Sequence, residues 1–131
     1  MTDVVVVDKR FESEPAKRVL KYRVPLIPDP AEVQIPVGAT LLHTEFVQHG
    51  TTADEFGGHW LLWYEVPLND EHGTWVERPM VFQTMATGIA FPKAAKHLAS
   101  AVSRDYSFLM PKIHEVWHLY QYPSGAKVVS V

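Results

Sequence analysis

Ten prolines in 131 residues, at positions 15, 25, 28, 30, 36, 67, 79, 92, 111 and 123, constrain this chain more than any other feature. Proline has no amide hydrogen and its ring clashes with the turn before it, so a helix ends or kinks wherever it meets one. Long helices are thereby excluded from most of the chain. The segments between the prolines are rich in Val, Ile, Leu, Thr, Trp, Tyr and Phe, residues that fit a pleated, half-buried surface. The expectation is an all-β domain, a small sandwich or partly open barrel of about seven strands with little helix.

A hydrophobic content of 47% with 21% charged residues suits one modest core. A chain of this length buries roughly two-thirds of the surface its unfolded form exposes. The absence of cysteine excludes disulfides, thiolate-zinc sites, iron–sulfur ligation and a cysteine nucleophile. A net charge of −3 supplies no basic footprint for nucleic acid. No run reaches the roughly 20 apolar residues of a membrane helix, and Met1-Thr2-Asp3-Val4 does not start like a signal peptide. A cytoplasmic protein is expected.

Three parts are distinguished along the chain. Residues 1–18 combine a short apolar run, Val4 to Val7, with a charged arm; residues 19–123 form the all-β domain; residues 124–131 are a tail whose Lys127–Val131 could pair with Val4–Val7 at a sheet edge. Strands are predicted at Val19–Leu26, Glu32–Val37, Ala39–Gln48, His59–Val66, Thr74–Gly88 and within Phe108–Tyr122. Pro36 marks the second as an edge strand or strand end. His59–Val66, apolar on both faces, is the central one. The segment Lys93–Ser103 is ambiguous, since its alanines favour a helix.

The most provocative motif is His114-Glu115-Val116-Trp117-His118, a literal H-E-x-x-H. That zinc motif needs a helix, because only there do imidazoles four apart converge on one metal. Here the flanks are β-branched, aromatic or proline, and on a strand the two rings stand roughly 13 Å apart. The residues after His118 include no His, Asp or Glu to complete a site. The motif is therefore read as strand, and no metal or cofactor is expected. His49, His59, His114 and His118 are the weak metal candidates, with His49 and His59 flanking the polar loop that carries Asp54 and Glu55.

No serine has a G-x-S-x-G setting, and neither G-x-x-x-x-G-K-[ST] nor G-x-G-x-x-G occurs. Gly88, alone in a strand-like run, reads as a bulge or a close backbone approach, and only secondarily as an anion-binding nest. Of the four tryptophans, Trp75 follows a polar turn and is the candidate exposed contact. Arg23, Arg78, Lys93, Lys96 and Arg104 are the cations that could grip an anionic nucleotide.

Taken together, Lys21-Tyr22-Arg23-Val24-Pro25, Val33 to Leu42, Leu61-Leu62-Trp63, Ala86-Thr87-Gly88 and Val116-Trp117-His118-Leu119-Tyr120 resemble the DUF7352-like family of small uncharacterised phage and actinobacterial proteins. The likeness spans residues 21–122. It implies an all-β domain and places His97–Val102 on a strand, against the helical propensity there. Ala86 stands where the family pattern has glycine, and Pro67-Leu68 where it has an acidic pair. The resemblance brings no catalytic or binding residues. The functional expectation is a non-enzymatic, phage-type accessory protein that binds a host protein or sequesters a small ligand in the host cytoplasm. The alternatives are a sponge for an anionic nucleotide, a minor virion protein and a metal-dependent hydrolase; association into a homo-oligomer is a further expectation.

Overall fold

A computed structural model describes residues 17–27, 29–49, 57–68, 76–105 and 112–129, the side chains of 103–105 and 112–115 excepted. They form seven strands: β1 (Lys17–Pro25), β2 (Ala31–Pro36), β3 (Thr40–His49), β4 (Gly57–Pro67), β5 (Glu77–Ala86), β6 (Lys96–Asp105) and β7 (Lys112–Gln121). Two antiparallel sheets result, one of order β1-β4-β3 and one of order β2-β5-β7-β6. The all-β sandwich expected from the proline spacing is the observed architecture.

Strict alternation builds the core. On β4, Trp60, Leu62, Tyr64 and Val66 are buried while Leu61, Trp63 and Glu65 are half-buried on the opposite face. The inward row meets Val24 of β1 and Ile35, Met80, Phe82 and Leu119 of the other sheet. One hydrogen bond crosses between the sheets inside this layer: the Trp60 indole Nε1–H donates to Thr84 Oγ1 at 3.0 Å. It satisfies two polar groups that burial would otherwise penalise.

The prolines sit where a ladder tolerates them. Pro25, Pro36 and Pro67 end β1, β2 and β4, and β2 is an edge strand. Pro79 lies inside β5, opposite Gln34 of β2. In an antiparallel ladder successive residues turn their N–H and C=O groups to alternate sides. The Tyr122 amide bonds the Val81 carbonyl at 2.9 Å, so Val81, and Pro79 two residues earlier, face the β7 side. There the chain has already left the sheet at Pro123, and the missing proline N–H costs no ladder bond.

One expectation holds against local propensity, and two change. Lys93–Ser103, helical by propensity, carries β6, as the family resemblance implied; pairing with β7 presses Leu98, Ala99 and Ala101 against the core, and that burial outweighs a weak local preference. Gly88 is neither a bulge nor a close approach: it has φ +91° in the turn closed by Ile89 N–H to the Ala86 carbonyl, with open space where a Cβ would lie. Such a turn needs the left-handed conformation at its third residue. The described part of the tail, residues 124–129, is not in a strand; a turn at Pro123–Ala126, with Gly125 at φ +93°, carries it off the sheet. Val4–Val7 lies outside the described residues.

Candidate functional site

The sandwich opens at one end because the two sheets are cut to different lengths. β2 begins at Ala31, opposite Phe82, so β5 runs on from Gln83 to Ala86 with β7 on one side and, among the described residues, no strand on the other. By the same alternation that places Pro79, the Thr84 N–H and C=O point to this open side. Across the gap runs the β1–β2 connection, anchored by the Leu26 amide on the Gly58 carbonyl at 3.2 Å.

The gap is a cavity of about 420 Å³ lined by Leu26, Ile27, Gly57, Gln83, Thr84, Met85, Ala86, Ile89 and Trp117. Leu26, Ile27, Met85, Ala86, Ile89 and the Trp117 ring make it mainly apolar. Its polar residues include Thr84, whose hydroxyl is already held by Trp60, and Gln83, whose amide oxygen accepts from the Tyr122 hydroxyl. No Lys or Arg stands among the described residues of the lining. The volume falls in the range of roughly 300–1,000 Å³ typical of small-molecule sites.

A second constellation lies on the outer face of the same sheet. Ser100 stands opposite His118, and His97 opposite Tyr120, on the β6–β7 ladder. His97 and Ser100 are an odd three residues apart and would face opposite ways in a regular strand. The β-bulge between His97 and Ala99 takes up one residue and turns both outward. His97 Nε2 and His118 Nδ1 each lie 2.8 Å from Ser100 Oγ, and His118 Nε2 lies 3.1 Å from Thr87 Oγ1. Thr87 donates its own proton to the Val116 carbonyl at 3.4 Å, so its oxygen accepts from His118 Nε2–H. That leaves the His118 Nδ1 lone pair to accept from Ser100, whose oxygen accepts from His97 Nε2–H. Tyr120 packs edge-on against His97 with centroids 5.4 Å apart, and Phe91 lies on Tyr120 at 4.1 Å.

His49 and His59 do meet, with ring centroids 4.6 Å apart across β3 and β4. Burial holds the His59 imidazole below its ordinary pKa, reinforced by the Arg23 guanidinium and by His49. Its Nδ1 is buried and has no hydrogen-bond partner among the described residues. The neighbouring Asp54 and Glu55 lie outside the described residues. His114 and His118 both lie on β7, so the H-E-x-x-H pattern is on a strand, where it cannot chelate as a helix does; the His114 side chain is outside the described set. Among the described residues no group of three or more His, Asp or Glu gathers as a metal site.

The cations are spread over both sheets. Arg23 is exposed on β1, Arg78 on β5, Lys93 in the turn before β6 and Lys96 at the start of β6. Lys96 is level with Gln121 and through it with Phe82, which puts Arg78 on the order of 15 Å away by strand geometry. Arg104 lies near the far end of β6, its side chain outside the described residues, as is Trp75. Sequence reasoning missed the cavity and the His97–Ser100 pair. Neither has a local signal, because both depend on where one strand stops and another bulges.

Burial also pushes the Tyr64 hydroxyl up to about 12, with Tyr22, edge-on at 5.9 Å, adding to the shift. That ring belongs to the core rather than to either site. Among the described residues no helix is long and apolar enough to cross a membrane.

No curated protein and no solved structure matches the chain. One family model does, described as a domain of unknown function, DUF7352, and it covers residues 15–128, which takes in all seven strands and both constellations. The chain therefore belongs to the DUF7352 family.

Proposed function

We propose that this protein is a non-enzymatic accessory protein of the phage type that acts by binding, and that it sequesters a small, neutral, largely apolar molecule in the host cytoplasm. The cavity of about 420 Å³ beside the open stretch of β5 is the observation that carries this reading. Its apolar walls supply the non-directional part of affinity. The outward N–H and C=O of Thr84 supply fixed polar groups for orientation. A lining of described residues that contains no cation favours a neutral ligand over an anionic nucleotide.

The test is a titration of the full chain with the neutral apolar dye Nile red, followed by its emission and by Trp quenching. Wild type is expected to bind one dye per chain. Ala86→Phe, which fills the cavity, and Ile89→Asp, which charges an exposed wall residue (56% exposed), are each expected to weaken binding at least tenfold. Equal binding by both variants, or none by wild type, refutes the reading.

A further inference from the structure

We infer that His97 and His118 form a two-histidine site for a divalent late transition metal of the Zn²⁺ or Cu²⁺ class, on the outer face of the β2-β5-β7-β6 sheet. The two are diagonal neighbours on one antiparallel ladder, a separation of roughly 7–8 Å between backbones that long side chains span. Their ring centroids are 6.1 Å apart. What makes the pair more than two surface histidines is convergence: His97 Nε2 and His118 Nδ1 point at one atom, Ser100 Oγ, each from 2.8 Å. Metal–imidazole bonds run about 2.0–2.1 Å, so an ion at the position of that hydroxyl draws each ring in by less than about 1 Å. Ser100 turns aside as the ion enters.

The support around the two rings is what a metal ligand requires. A ligating histidine normally holds its second nitrogen by hydrogen bonding to an acceptor, which sets ring tautomer and orientation. Thr87 Oγ1 does this for His118 Nε2–H, and Thr87 is itself oriented by the Val116 carbonyl. His97 is steadied by the edge of Tyr120, which Phe91 backs. Both rings bind as neutral imidazoles: His97 moves its ring proton from Nε2 to Nδ1, Ser100 keeps its own, and nothing is oxidised or reduced. Two imidazoles without a carboxylate suit Zn²⁺, Cu²⁺ or Ni²⁺ rather than Mg²⁺ or Ca²⁺. Water fills the remaining positions, since Ser100, His97 and Thr87 are exposed.

Calorimetric titration of the full chain with ZnCl₂ and with CuCl₂ tests the site. Wild type is expected to bind one ion, and His97→Ala and His118→Ala each to weaken that binding at least tenfold. Thr87→Val is expected to weaken it about tenfold or more, as loss of an outer hydrogen bond to a ligand does. Ser100→Ala and His49→Ala are expected to keep it. His97→Gln and His118→Gln, with far-UV circular dichroism, separate ligand loss from misfolding, and ring NMR of wild type should show His97 and His118 shifting together. Absence of binding by wild type, retention in the His97 or His118 variants, or loss in His49→Ala overturns the assignment.

Discussion

Replacing Thr84 by Val probes how the two sheets are joined. The side chains are nearly isosteric, and Val suits a strand, so the change removes little except the hydroxyl that accepts from Trp60 Nε1–H at 3.0 Å. Trp60 is 1% exposed and Thr84 6%, so the indole N–H is left dry and unpaired. Stranding such a donor costs about 1–3 kcal/mol, against which the added methyl offsets about 0.8 kcal/mol by its burial. A net loss of about 1 kcal/mol, and at most about 2 kcal/mol, is expected. At about 2.1 cal/mol/K per residue of unfolding entropy, that lowers Tm by about 4 °C, and at most by about 8 °C. Urea unfolding followed by Trp fluorescence measures it, in a cycle with Trp60→Phe, which lacks the donor. Thr84→Val should cost little in the Trp60→Phe background, giving a coupling of about 1 kcal/mol or more. An equal cost in both backgrounds, or no cost in wild type, would show that this bond does not tie the sheets together.

Gly58→Ala is expected to destabilise by about 1–3 kcal/mol in the same assay, the cost of forcing extra volume into a packed site. A Cβ there would stand 2.7 Å from the Val47 carbonyl oxygen and 3.0 Å from the Phe46 ring, and an unchanged midpoint would contradict that approach. His59 predicts a pH dependence. Its folded pKa lies below the ordinary 6.5, so between those values the unfolded chain binds the proton and the folded chain does not. Stability from this group is complete above about pH 6.5 and falls as pH drops through the folded pKa. Urea midpoints between pH 8 and 5 should decline less in His59→Phe than in wild type; parallel curves would refute the assignment.

Much of the fold is legible in the residues themselves. Proline spacing removes helix as an option, and period-two alternation on Trp60 to Val66 identifies the central strand and its buried face, since side-chain direction in a strand follows from parity alone. The prolines at 25, 36 and 67 mark strand ends for an equally local reason. Lys93–Ser103 shows where local information runs out: its alanines prefer a helix, and only pairing with β7 makes it a strand.

Both candidate sites belong to that second class. The cavity exists because β2 starts opposite Phe82 while β5 continues to Ala86, a mismatch of register between strands more than forty residues apart in sequence. Ser100 meets His97 and His118 because a bulge turns one and a ladder delivers the other. Strand identity is set by each residue's own steric and hydrophobic character, which is written locally. Register and strand ends are set by which partner buries the most apolar surface and satisfies the most backbone groups, and that is a property of the assembled sandwich alone.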